Sequence, residues 1–265
     1  MRIAVPLAAL MLATASPLAH AAPALQAAAA VDKQADKDRA LVQKAMNSGD
    51  LKKIRKMVPQ LEDVASRTPT AYPLVEERDG VFIVRSGNLS QGLLASLMTG
   101  VAAKDARPDQ QAKVVVEFNT YGVAIFLLGS AAVEARDFAK ANAWLDKGLA
   151  LQPENLMLVT EKGMVLTAQR RHADALALYD ATFDKAGTFL IADQQGKARL
   201  LRARGFTLIE LGRLDDAEAA YKASLEIEPD HGGAKHELSY IAQLRAGAQA
   251  KGLQIMNGEE AMKPK

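Results

Sequence analysis

The chain has 265 residues, with 33 basic against 31 acidic side chains, a net charge of +2, no cysteine and 5% aromatic residues. That near balance gives no electrostatic case for a nucleic-acid partner. Without cysteine there is no disulfide framework, no thiolate metal site and no lipid-acceptor thiol, so the fold must stand on a hydrophobic core.

Arg2, the apolar run from Ile3 to Ala13 and the small-x-small triplet Ala19-His20-Ala21 follow one another at the N-terminus. This is the order of an export signal: a charged start, a short apolar stretch and a cleavage site. Residues 1–21 are therefore read as a signal peptide cut after Ala21, of bacterial style, and the mature chain as periplasmic or secreted. The apolar run is too short to span a bilayer, which needs about 20 residues. No later run is long enough, so no membrane span is expected after cleavage.

Residues 22–31 are rich in Ala and read as a linker, and 32–109 as an N-terminal helical region with a candidate hairpin. Within that region 32–47 reads as a helix with Leu41, Val42, Ala45 and Met46 on one side. After the break at Ser48-Gly49-Asp50, residues 51–66 repeat the pattern through Ile54, Met57, Leu61 and Val64, with Pro59 as a kink. This pair is either independent or a degenerate member of the repeats described next, whose turns Gly49-Asp50-Leu51 echoes. Pro69 and Pro73 then interrupt the chain. Residues 74–85 read as a β-hairpin around Asp79-Gly80, with Val81-Phe82-Ile83-Val84 as the stronger strand. Asn88 or Ser90 caps a helix running to Lys104, 106–109 is a loop, and the next helix begins near Gln110.

Residues 110–246 contain three superimposable stretches, 122–155, 156–189 and 198–231. Each has Gly at its eighth position (Gly129, Gly163, Gly205) and Ala at its twentieth (Ala141, Ala175, Ala217). The first and third end in Leu151-Gln152-Pro153 and Ile227-Glu228-Pro229. Small residues at those places let two antiparallel helices approach, and a larger side chain would overpack the crossing at a cost of about 1–3 kcal/mol. Gly212 suits the positive φ that ends a helix. The second stretch lacks the closing Pro, with Gly187 ending its helix, and 190–197 is an insertion before the third. A period of about 34 residues with two helices per unit resembles the tetratricopeptide repeat. The resemblance implies an all-α fold: a solenoid of helical hairpins, closed by a capping helix over 234–246 after a hinge at Gly232-Gly233. Residues 247–265 are a polar, flexible tail.

The resemblance also implies where a partner would bind. In this family the concave wall comes from the first helix of each repeat. Carried onto this chain, the wall positions are Val123, Phe126, Ser130 and Val133, then Met157, Thr160, Met164 and Thr167, then Arg199, Arg202, Phe206 and Ile209. Phe126, Ser130, Met157, Thr160, Met164, Arg199, Arg202, Phe206 and Ile209 form the candidate groove, with Met residues able to adapt and Arg residues able to grip carboxylates. Chaperone-binding members hold a carboxylate with a clamp of Lys, Asn and Arg. Here Phe126, Ser130 and Glu161 stand at three of those positions and only Arg199 fits, so the clamp is not implied.

Catalytic groups are sparse. His172 falls in a repeat turn, and His231 and His236 are not at the i, i+4 spacing of a helical metal site. No nucleophile elbow and no phosphate-cradling glycine loop occurs. No catalytic residue, metal ligand or cofactor is expected. The first reading is an exported, non-enzymatic scaffold for a protein or peptide partner in the cell envelope, such as a secretion component. The alternative is a ligand-binding protein or enzyme whose site lies between residues 72–104 and the inner face of the array.

Overall fold

The computed structural model describes residues 18–106 and 112–247. Residues 1–17 of the segment read as a signal peptide, most of the loop read at 106–109, and all but the first residue of the stretch read as a tail lie outside them. The chain divides into two compact units, Met1–Ala40 and Leu41–Lys265. The stretch 22–31, read as a linker, is instead helical, within α1 (Leu18–Ser48). Ala, the strongest intrinsic helix former, fills six of its ten positions and outweighs the single Pro23, which lies near the start of α1.

α2 (Leu51–Ser66) starts where expected, with the Asp50 carboxylate accepting from the backbone N–H of Lys52 and Lys53 at 2.9 and 3.4 Å. Gly49 provides the preceding turn with φ +57°. From Leu41 onward, Val42, Ala45, Ile54, Leu61 and Val64 are buried with the first array helix in one core. Within the second unit, residues 41–66 therefore form the array's first layer.

The hairpin forms as read. β1 (Val75–Arg78) pairs antiparallel with β2 (Val81–Ser86), and Arg78 faces Val81 across a two-residue turn. Asp79 and Gly80 both have positive φ, 51° and 77°, as this tight turn demands. α3 (Leu89–Ala106) follows. The expected helix start near Gln110 is wrong: 113–118 is strand β3 (Lys113–Phe118), parallel to β2 with Val81 opposite Lys113 and Ser86 opposite Phe118. Lys113-Val-Val-Val-Glu-Phe is β-branched and alternates between exposed and half-buried positions, which suits a strand and not a helix. Parallel pairing needs a crossover, and α3 supplies it. Gly92 lies so close to the Val116 side chain that a Cβ would collide with it.

The array has three hairpins: α4 (Thr120–Glu134) with α5 (Phe138–Leu151), α6 (Leu156–Ala168) with α7 (His172–Lys185), and α9 (Gln194–Glu210) with α10 (Leu214–Ile227). Between the second and third lies a short helix, α8 (Gly187–Ala192), so the stretch 190–197 read as an insertion is split between the end of α8 and the start of α9. The equivalent turn positions Arg136, Arg170 and Gly212 all have positive φ, 59°, 61° and 71°. The close contact at the repeat glycine is with the twenty-fourth position: Gly129 faces Leu145, Gly163 faces Tyr179 and Gly205 faces Tyr221. Ala141, Ala175 and Ala217 are fully buried beside these contacts. α11 (Gly232–Arg245) caps the end, burying Ala234 and Ile241 against Leu208, Ile209 and Tyr221. Gly232 and Gly233 are its first turn and not a hinge, because the His231 imidazole accepts from Ala234 N–H at 3.1 Å and caps the helix there.

Candidate functional site

α4, α6 and α9 are the first helices of the three hairpins, and neighbours among them pack together. Phe126, Ser130, Met157, Thr160, Met164 and Phe206 are half-buried along them. Ser130 Oγ donates to Glu161 Oε1 at 3.0 Å, tying α4 to α6. Thr160 returns its hydroxyl to its own helix at Leu156 O, 2.7 Å away.

Three family-derived wall positions are core positions in this chain. Val123 is fully buried, Thr167 hydrogen-bonds Thr207 at 2.9 Å in the interior, and Ile209 packs under the capping helix. The basic ledge of Arg199 and Arg202 is also reduced. Arg202 Nη1 pairs with Glu228 Oε2 at 2.5 Å, with its side chain 14% exposed, so its charge is committed within the third hairpin. Arg199 remains exposed and makes no hydrogen bond or ion pair among the described residues.

Burial raises the Glu161 carboxyl above the usual carboxylate range, against the hydrogen bond from Ser130. A group whose folded pKa is raised favours folding below its unfolded pKa, and that contribution is lost as pH rises through the folded value. Glu161→Gln keeps an acceptor for Ser130 without the charge. It is therefore expected to melt higher than wild type at pH 7. The difference should shrink as pH falls and wild-type Glu161 protonates, which a pH series of thermal melts reads directly.

The N-terminal ends of these helices meet the sheet and α3 around a second feature, a cavity of about 250 Å³. The residues that open α3, α4, α6 and α9, namely Asn88, Asn119, Asn155 and Asp193, all line it. Asn155 Oδ1 accepts from the N–H of Met157 and Leu158. Asp193 Oδ1 accepts from Gly196 N–H at 2.7 Å and from Gln91 Nε2 at 2.5 Å. The last bond joins α3 to the insertion between the second and third hairpins, and Val84, Ala95 and Ala192 pack beside it. Burial raises the Asp193 carboxyl, opposed by Gly196 N–H and the nearby Arg199.

Behind the cavity lies a closed amide network. Gln152 and Asn119 exchange two hydrogen bonds of 2.9 Å, Gln152 Nε2 also donates to Tyr72 O at 2.9 Å, and Asn155 Nδ2 donates to Gln152 Oε1 at 2.8 Å. Arg85, 4% exposed, donates to Pro73 O and to Glu76 Oε2, and its guanidinium stacks over Tyr72, 4.3 Å from the ring centre. Hydrogen bonds from Arg85 and Arg78 hold the Glu76 carboxyl below the usual range, and burial pushes the Tyr72 hydroxyl up to about 12. None of these groups announces itself locally in sequence. Among the described residues, no group of three or more His, Cys, Asp or Glu is placed to hold a metal ion.

The fold is an all-α solenoid of tetratricopeptide-type helical hairpins with a small three-stranded sheet in its N-terminal region. Residues 155–229 match the family model described as tetratricopeptide repeat. No curated protein matches the chain. Among solved structures, the chain is similar to one described as the first TPR of Spaghetti (RPAP3) bound to HSP90 peptide SRMEEVD. The two are 21% identical over 48% of this chain and 96% of that one, with a TM-score of 0.41. It is likewise similar to the first TPR domain of the human RPAP3 protein (21% identity, 47% and 92% coverage, TM-score 0.41). The Sgt2 TPR domain from Aspergillus fumigatus matches at 16% identity, 52% and 91% coverage, and a TM-score of 0.41.

Proposed function

We propose that this chain is an exported scaffold that holds a protein or peptide partner of the cell envelope against the wall formed by α4, α6 and α9. The observation that carries the docking reading is the row Phe126, Met164 and Phe206, half-buried on three successive first helices. Large, adaptable apolar side chains on a rigid frame suit an extended segment or a helix of varied sequence. The committed Arg202–Glu228 pair removes one of the two cations that would draw an acidic partner, so apolar contact dominates the wall.

The location rests on Arg2, the apolar run that follows and Ala19-His20-Ala21. N-terminal sequencing of the protein from its native host is expected to begin at Ala22. Recovery of intact Met1 in the soluble cytoplasmic fraction contradicts the export reading and leaves the docking reading standing.

A further inference from the structure

The cavity between α3, the sheet and the helix ends shares Met157 and Arg199 with the candidate groove, but Phe126, Met164 and Phe206, which carry the docking reading, do not line it. Its construction is specific. Four helices open onto it through Asn88, Asn119, Asn155 and Asp193. Asn155 and Asp193 cap first-turn N–H groups of α6 and α9, whereas Asn119 makes no side-chain cap at α4, so the start of α4 keeps free N–H groups whose partial positive charge favours an anion. Arg199 lines it with an uncommitted guanidinium. Arg85 lines it too; it is 4% exposed, and its Nε has no hydrogen-bond partner among the described residues, the nearest carboxylate oxygen being Glu117 Oε2 at 3.7 Å.

Two carboxylates also line the space, Glu154 and Asp193. Asp193 is occupied by Gln91 and Gly196, and two of the cavity's amides, Asn119 and Asn155, are held in the network with Gln152. Met46, Leu74, Leu156, Met157 and Phe189 supply an apolar side. A space of about 250 Å³ is below the range of drug-sized sites and suits a small molecule.

We propose that this cavity binds a small organic carboxylate, its charge at Arg199 and the start of α4, and its short apolar group against Leu156 and Met157. The site uses helix ends, the sheet insert and the insertion at 190–197, not the middle of the concave wall. The ligand-binding alternative places its site between residues 72–104 and the inner face of the array; this cavity has part of 72–104 on one side but helix ends on the other. The carboxylate belongs either to a free acid or to the last residue of a peptide, and the probes separate the two.

The test is calorimetric titration of the whole mature chain with hexanoate, hexanamide, N-acetyl-leucine and N-acetyl-leucinamide. Each acid should bind at least about tenfold more tightly than its amide, a difference of about 1.4 kcal/mol. Arg199→Gln should weaken the acids by a similar factor while leaving the thermal melt unchanged, since Arg199 is exposed and uncommitted. Arg170→Gln, in the second repeat's turn, should bind as wild type does. Hexanoate as the tighter acid assigns a free acid, and N-acetyl-leucine as the tighter one assigns a peptide terminus. The proposal is overturned if acids and amides bind alike, if Arg199→Gln binds as wild type, or if neither acid saturates. Partner docking on the wall is read separately through Met164 variants, so either idea can fail alone.

Discussion

Gly163→Leu should be among the most damaging single changes in the array. A Cβ at Gly163 falls onto the ring of Tyr179, which is fully buried. A side chain that cannot fit must push the ring, and with it α7, away from α6. Overpacking of this kind costs typically 1–3 kcal/mol and sometimes more, and a contact through a locked ring belongs at the upper end, about 3 kcal/mol. In a chain of this size each kcal/mol lowers the melting temperature by roughly 2–4 °C. The control is Gly232→Leu, where an added Cβ meets nothing within 4 Å. The first repeat already shows the compensating solution, Leu145 opposite Gly129. Gly163→Ala combined with Tyr179→Leu should therefore recover part of what Gly163→Ala loses, a coupling a double-mutant cycle measures. Equal melts for Gly163→Leu and Gly232→Leu would contradict the helix register that sets Gly163 against Tyr179.

Gln152→Leu is the second large effect, and it acts on how the sheet is held to the array. Gln152 is 1% exposed and both ends of its amide are fully used, by Asn119, Asn155 and the carbonyl of Tyr72. Leucine fills similar space but leaves those partners buried without a bond. Each orphaned group costs about 1–3 kcal/mol, so a total of about 3 kcal/mol or more is expected. The loss should also be local. Asn119 N–H bonds Ser86 O at 2.9 Å, so the end of β2 and the start of α4 depend on the same network. Hydrogen exchange should therefore speed up at β2 and the first turn of α4 before it does in α9 or α10. An unchanged melt with unchanged exchange at β2 would show that the network is not what docks the sheet.

The repeats were legible because their signals are local. Gly163 and Ala175 have counterparts at the same offsets in all three repeats, although the glycine's close contact is with the twenty-fourth position and not the alanine, and Gly212 or its equivalents mark each turn within a few residues. The Asp79-Gly80 hairpin was legible for the same reason. β3 was missed because its partner β2 lies beyond a whole helix, and a short Val-rich run next to α4 is as consistent with a helix start as with a strand. The site was only half legible. Phe126 and Met164 are half-buried on first helices, but Ile209 is covered by α11 and Arg202 is engaged by Glu228, 26 positions away. The cavity was beyond reach, since its defining bond, Gln91 to Asp193, joins residues 102 positions apart.

The docking claim is tested most directly by site-specific photocrosslinking in the native host. A benzophenone side chain placed at Phe126, Met164 or Phe206 samples the wall formed by α4, α6 and α9. The same group at Ala150 or Glu226, exposed on the second helices α5 and α10, samples other faces of the array. The wall positions are expected to give one common protein adduct and the second-helix positions none. An adduct from Ala150 or Glu226, with none from Phe126, Met164 or Phe206, would place the partner on another surface and contradict docking on the wall.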